Sequence, residues 1–354
     1  MLSEAVKNLV PYTAGEQPQD RSYIKLNTNE NPYPPPESIK KLLGSLDTER
    51  LKFYPDPLCS RLREKLGSLH GLPPERVFVS NGSDEVLSFC FYAFFDRNRG
   101  SVLFPAVTYS FYPVYCSFYN LPYIPALLNP DFSVSIDRFL QEAANSSGLI
   151  FPNPNAPTGI LLEPDKIESL LSRFPQDKAV IIDEAYIDFG GKSALPLLDR
   201  FPNLVIVRTF SKGMSLAGLR IGYALGSKEA VNALFTVKDS FNSYPLDYIS
   251  QEIACHACDQ AEYFRKMNAE VANTRTIFTE NLVKTGWQVL PSQANFVFAR
   301  KPGISGRDLY LKLKERGILV RHFNKETIDQ FVRITIGTPA DMDIFLHTVS
   351  RFLN

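Results

Sequence analysis

The chain has 354 residues, with 38 basic and 38 acidic side chains and a formal net charge of zero. That length exceeds one minimal domain and can bury a large core, so one large and one smaller domain are expected. Lys and Arg are spread along the chain, leaving no electrostatic footprint for nucleic acid or an anionic membrane, and no run of about 18 apolar residues occurs; a soluble cytoplasmic protein acting on a small molecule is expected.

Residues 1 to 36 read as an arm, because Asn29-Glu30-Asn31-Pro32-Tyr33-Pro34-Pro35-Pro36 forbids helix and favours extended or turn structure. Helices are predicted over 37–46 and 58–69, with the proline-punctuated loop Tyr54-Pro55-Asp56-Pro57 between them and Gly71 and Pro73-Pro74 closing the second. Val77-Phe78-Val79 is a short buried-strand run that stops at Ser80-Asn81-Gly82-Ser83-Asp84-Glu85, before an apolar helical stretch from Val86 to Phe95. Strand, glycine turn and helix in this order aim free N–H groups and the positive end of the helix dipole at one point. That suits a phosphate, and equally an ordinary capped helix start.

Further strands are predicted over 101–105, 123–126, 149–151, 179–182, 204–207 and 220–224, with a helix over 163–172. Polar or aromatic clusters follow several of them: Thr108 to Tyr112, Pro152 to Gly159, Asp183-Glu184-Ala185-Tyr186 and Thr209-Phe210-Ser211-Lys212-Gly213. Strands that alternate with helices and read as unbroken apolar blocks imply an α/β fold, a mainly parallel sheet covered on both faces. Ligands bind such sheets outside the carboxyl ends of the strands, where these clusters fall. Beyond about residue 245 the texture changes. A long helical region to about 284 precedes strands over 288–290, 294–299, 319–321 and 331–336 and helices over 306–316 and 339–352, which suggests a small α+β domain. The expected division is an arm (1–45), a large domain (46–245) and a small domain (246–354).

Five cysteines at 59, 90, 116, 255 and 258 form no framework, so reduced thiols are expected. Cys255-His256-Ala257-Cys258 has the spacing of half a zinc site, but no second pair completes four ligands; a structural role and no metal are expected. Lys212 stands at the mouth of a buried strand among hydroxyls and glycine. A lysine there can lose hydration and become a nucleophilic amine suited to Schiff-base chemistry, although alone it reads more simply as a surface lysine. Its company changes that reading. The cradle at 81–85, Tyr109, Asp183, Tyr186, Lys212 and Arg220 each match a different group of pyridoxal 5′-phosphate: a carboxylate keeps the ring nitrogen protonated and a lysine holds the aldehyde as an imine.

With Leu26 to Tyr33, Tyr54 to Pro57, Pro157-Thr158-Gly159, Gly218-Leu219-Arg220-Ile221-Gly222 and Val332-Arg333-Ile334-Thr335-Ile336-Gly337, these residues resemble the fold-type-I aminotransferases of class I/II. The resemblance is greatest to the histidinol-phosphate aminotransferase branch and spans nearly the whole chain. It implies a large pyridoxal-phosphate transferase-like domain and a ping-pong transamination between L-histidinol phosphate and 2-oxoglutarate, in histidine biosynthesis. Lys212 is then the Schiff-base lysine and proton carrier, Asp183 the partner of the pyridinium nitrogen, and Tyr186 the donor to the 3′-oxygen. Tyr109 stacks on the ring. The phosphate takes the N–H groups of Gly82, Ser83 and Asp84, the Ser211 hydroxyl and the Arg220 guanidinium. Tyr54 reaches it from the neighbouring subunit, which implies a homodimer.

Arg333 grips the anionic group of the substrate, Arg321 is the additional arginine for a phosphorylated one, and Tyr12 and Asn29 close over it. One departure stands out: Ala156 occupies the place of an asparagine that would bond the 3′-oxygen, so Asn155, or else Asn153, takes that role, or Tyr186 acts alone. Two other reactions fit the same resemblance, transamination of aromatic amino acids and decarboxylation of threonine O-3-phosphate. A cofactor-binding sensor without catalysis is the alternative from another class, but the arm is too short to hold a DNA-binding domain.

Overall fold

Seven segments rich in Val, Ile, Leu and Phe form the central sheet of the computed structural model, which describes residues 1–7 and 9–353. They are β1 (Val77–Asn81), β2 (Ser101–Pro105), β3 (Tyr123–Ala126), β4 (Ser146–Pro152), β5 (Ala179–Asp183), β6 (Leu204–Thr209) and β7 (Ile221–Leu225). Their order is β1-β7-β6-β5-β4-β2-β3, and β7 runs opposite to the other six. Strands β4, β6 and β7 are buried at every residue, which is why they read as apolar blocks without alternation. Alternate residues still serve opposite faces. Ile181 packs into one core with α3 (Gly82–Phe94), whereas Val180 and Ile182 pack into the other.

After a single helical turn at Glu4–Lys7, the helices around α3 up to residue 284 are α1 (Glu37–Ser45), α2 (Ser60–His70), α4 (Tyr112–Phe118), α5 (Ile136–Glu142), α6 (Pro164–Arg173), α7 (Lys228–Phe241), α8 (Tyr248–Asp259) and α9 (Ala261–Lys284). A second sheet, antiparallel throughout, holds β8 (Gln288–Val289), β9 (Phe296–Arg300), β10 (Arg321–His322) and β11 (Val332–Thr335) in the order β10-β11-β9-β8. Helices α10 (Gly306–Glu315) and α11 (Pro339–Leu353) complete the small α+β unit. The arm is stitched to this unit, since Ile24–Lys25 pairs in parallel with Ile318–Leu319.

The expected division at 245/246 lies too early. Ile253, Ala254 and Ala257 of α8 and Phe264 of α9 belong to the core of the large sheet, and the core of the small unit begins on α9 at Val271. The apolar spacing of α8 shows that it has a buried face but not which sheet that face covers. Among the described residues no helix is long and apolar enough to cross a membrane. All five cysteines are free and buried. Burial pushes the thiols of Cys59, Cys116 and Cys258 up to about 12 and that of Cys255 up to about 11, which keeps them neutral and unreactive.

Because β1, β2, β4, β5 and β6 run in one direction, Asn81, Pro105, Pro152, Asp183 and Thr209 end at one edge of the sheet. Strand β7 runs the other way, so Arg220, just before it, returns to that same edge.

Candidate active site

The anion cradle is built where β1 passes into α3. Asn81 is the N-cap, but its side chain makes no cap bond; its amide donates to the Pro245 carbonyl at 3.1 Å. Glu85 accepts from the Asn81 N–H at 2.8 Å. The N–H groups of Gly82, Ser83 and Asp84 are therefore left at the positive end of the helix without a side-chain acceptor. Gly82 has φ +78°, and a Cβ there would stand 2.7 Å from the Arg220 guanidinium. A Cβ at Gly222 would stand 2.2 Å from the Ser83 nitrogen, so β7 can press against the turn only as glycine. Arg220 donates to the Ser211 hydroxyl at 3.3 Å and to the Asp84 carboxylate at 3.1 Å, which brings cation, hydroxyl and helix start to one corner.

Lys212 lies three residues beyond β6. Its Nζ donates to the Thr28 carbonyl at 2.9 Å and stands 5.8 Å from the centroid of the Tyr186 ring. Burial pulls its ammonium down to about 8; the charge on Arg333 adds to the fall, and Glu30 and Asp84 oppose it. Asp183 ends β5 and is 5 % exposed. It accepts from the Ala185 N–H at 3.1 Å and the Tyr112 hydroxyl at 3.3 Å, both neutral donors. Burial pushes its carboxyl up to about 7, so a cation placed against it would stabilise the charged form. The Tyr186 hydroxyl accepts from Asn29 at 3.0 Å; burial raises its pKa, while Arg333 and Asn29 pull the other way.

At the other end of the pocket Arg321 and Arg333 stand directly opposite each other on β10 and β11. Arg333 donates to the Asn27 carbonyl at 3.1 Å, while its buried Nε has no acceptor. The rings of Phe296 and Phe323 stand 5.3 and 5.6 Å from its guanidinium. Arg321 donates to the carbonyls of Thr13 and Ala14 at 2.9 and 3.1 Å. These bonds are all to main-chain oxygens, and among the described residues neither guanidinium is in direct contact with a carboxylate, which suits an anionic ligand. Tyr12 stacks on Phe111 with centroids 4.7 Å apart, and Tyr109 donates its hydroxyl to Asp84 at 2.9 Å.

Twelve of the residues singled out from the sequence line this one pocket: Tyr12, Asn29, Ser83, Asp84, Tyr109, Asp183, Tyr186, Ser211, Lys212, Arg220, Arg321 and Arg333. Gly82 supports it from the turn. Asn29 belongs to the packed floor rather than a free arm, since it is 1 % exposed and its N–H donates to Thr335. Tyr54 lies outside the pocket of its own chain, 82 % exposed and stacked on Tyr244 at 4.6 Å.

The expectation for Asn155 needs correction. Its amide nitrogen donates to the Val107 carbonyl at 3.0 Å and to the Thr158 hydroxyl at 3.1 Å. A carbonyl can only accept, so the amide's orientation is fixed and its donors are spent inside the turn. Asn153 is tied to Leu162 through both its amide atoms. Ala156 lines the pocket instead, and of the expected alternatives only Tyr186 faces it. Three contributors were missed. Thr28 holds the Lys212 amine through its carbonyl, Asn31 donates to the Lys212 carbonyl at 3.2 Å, and Tyr112 donates to Asp183. The first two lie in the stretch from Leu26 to Tyr33, where only Asn29 was given a role, and the third in the aromatic cluster at 108–112.

A parallel sheet whose carboxyl edge gathers a desolvated lysine, a buried carboxylate and an anion cradle has the parts that a pyridoxal-phosphate enzyme needs. A family model described as aminotransferase class I and II matches residues 21–349. The histidinol-phosphate aminotransferase of Syntrophus aciditrophicus is 53 % identical over 99 % of this chain and 98 % of its own. That of Chromohalobacter salexigens is 47 % identical over 98 % and 97 %. Among solved structures, the histidinol-phosphate aminotransferase of Sinorhizobium meliloti in complex with pyridoxal-5′-phosphate shares the fold, with a TM-score of 0.87 and 21 % identity over 98 % of this chain and 95 % of that one. The chain belongs to the class I and II aminotransferases. It is a transaminase that depends on pyridoxal phosphate.

Proposed function

We propose that the chain transfers the amino group of L-histidinol phosphate to 2-oxoglutarate, a transamination of histidine biosynthesis. The observation that carries this reading is the pair Arg321 and Arg333, opposed across two strands with every bond noted above made to a main-chain carbonyl. Two guanidinium groups suit a phosphate ester dianion, while one suffices for a carboxylate. The two full-length relatives carry the same activity in their names.

When bound, pyridoxal 5′-phosphate supplies an aldehyde carbon that bonds to an amine and a ring that takes up the electron pair released at the substrate's amine-bearing carbon. Lys212, with its ammonium pulled down to about 8, can exist as a free amine near neutral pH and so take a proton from that carbon and return it. Asp183 would hold the ring nitrogen and Tyr186 the 3′-oxygen. The N–H groups of Gly82, Ser83 and Asp84, the Ser211 hydroxyl and Arg220 would bind the phosphate, and Tyr109 would cover the ring. Tyr12 and the arm keep water out.

Tyr54 completes this site in a neighbouring subunit, so the working unit is a homodimer. The support is that Leu51, Phe53 and Tyr54 are all exposed large apolar side chains and that none of them lines the pocket of its own chain. The cytoplasm is the compartment that suits five unpaired thiols. A comparison of donors tests the substrate. Histidinol phosphate should exceed phenylalanine and tyrosine in kcat/KM, and a clear preference for the free aromatic amino acids would make the chain an aromatic aminotransferase.

A further inference from the structure

We propose that the side chain of Asp84 is a positioning residue, a single carboxylate that fixes both the ring-covering Tyr109 and the phosphate-binding Arg220. The proposal rests on the cofactor reading of this pocket. A carboxylate beside a phosphate cradle has the wrong charge for the ligand, so its presence needs another reason. Each of its oxygens is used. One accepts from the Tyr109 hydroxyl at 2.9 Å, and the other from Arg220 at 3.1 Å.

Arg220 passes the connection on to the Ser211 hydroxyl at 3.3 Å, so a continuous chain of hydrogen bonds runs from the aromatic wall to the phosphate corner. The backbone of Asp84 is fixed as well, because the Tyr115 hydroxyl donates to its carbonyl at 2.8 Å. Arg220 stands in the left-handed region at φ +54°, and nearly half of its side chain is exposed. A long side chain in that state has many orientations open to it. The bond to Asp84 selects one that points across the cradle, with the guanidinium beside Gly82. Asp84 therefore gives up some attraction for phosphate and gains a fixed direction for two other groups.

Charge and geometry predict opposite outcomes for one substitution. The full-length protein, stripped of cofactor, is titrated with pyridoxal phosphate, and affinity and the circular dichroism induced in the bound cofactor are recorded. Asp84→Asn should weaken binding about tenfold to a hundredfold, the loss of a charge-assisted hydrogen bond, and reduce the induced signal. Asp84→Glu, which restores the carboxylate, should recover part of both. Tyr109→Phe should lower the induced signal, and adding it to Asp84→Asn should lower that signal little further, because the same contact is already lost. If Asp84 were only a like charge, Asp84→Asn would bind as tightly as the wild type or more tightly with its signal unchanged, and that result overturns the proposal. Should Asp84→Asn fail to fold, an unchanged induced signal in Tyr109→Phe would overturn it equally. Failure of the cofactor reading looks different: the wild type's absorbance change would persist in Lys212→Ala, and both inferences would fall.

Discussion

Lys212 is the residue on which the chemistry turns, and its environment sets when it can react. A lysine normally stays charged until pH is far above neutral, but here burial and Arg333 bring it to about 8. Labelling of the cofactor-free protein by an aldehyde reagent should therefore rise with pH with a midpoint at about 8; a midpoint near the ordinary 10.5 would refute the assignment. Lys212→Ala should abolish the cofactor's bound absorbance together with nearly all turnover. Arg333→Gln should raise KM for a phosphorylated donor roughly tenfold to a hundredfold, with a smaller change in kcat, because it removes charge-assisted hydrogen bonds. Lys212, Asp183 and Arg220 were legible in the sequence because each sits at a fixed offset from an apolar strand. Asn155 was not. The sequence names the residue but not the direction its amide faces, and two main-chain bonds, Asn155 N–H to Ile160 and Gly159 N–H to Asn155, fold that turn inward.

Among the elements, the passage from β1 to α3 depends on β7 lying close against it. Gly222→Ala should push the Ser83 nitrogen aside and weaken cofactor binding, with about 1–3 kcal/mol lost in unfolding by urea. Beneath the lysine loop, Glu184 of the turn after β5 accepts from Arg208 of β6 at 2.8 and 3.0 Å, and both are buried. Neither was singled out from the sequence, since an ion pair between a turn and the neighbouring strand leaves no local pattern. Arg208→Met should cost about 3–5 kcal/mol in the same unfolding measurement, because it strands a buried carboxylate. The strands themselves were readable from their apolar blocks. Helices α5 and α7 were overlooked, and α8 was given to the wrong unit, because a buried helical face does not announce its partner.

Across the whole molecule, the arm, the large sheet and the small unit meet at one pocket, which Tyr54 of the same chain does not line. Buried Lys238 holds the surface that bears Tyr54 in shape by donating to the carbonyls of Pro57 and Ser243, each at 3.1 Å, on either side of the Tyr54–Tyr244 stack. If Tyr54 serves a second subunit, mixing inactive Lys212→Ala and Tyr54→Ala chains and allowing exchange should restore about a quarter of wild-type activity, from the one intact site in each hybrid dimer. No gain above the sum of the parents would place Tyr54 outside any shared site. The overall α/β plan and the order of its clusters were visible in the sequence; the exact point of crossing between units was not, because it lies inside the continuous helix α9.

The most direct measurement is a single half-reaction, followed by the absorbance of the cofactor in the loaded protein with 2-oxoglutarate left out. L-histidinol phosphate should change the spectrum in one stoichiometric turnover, release no carbon dioxide, and act at far lower concentration than phenylalanine or tyrosine, and 2-oxoglutarate should then restore the starting spectrum. No spectral change with histidinol phosphate, or a change reversed only after carbon dioxide is lost, would contradict the proposed transamination.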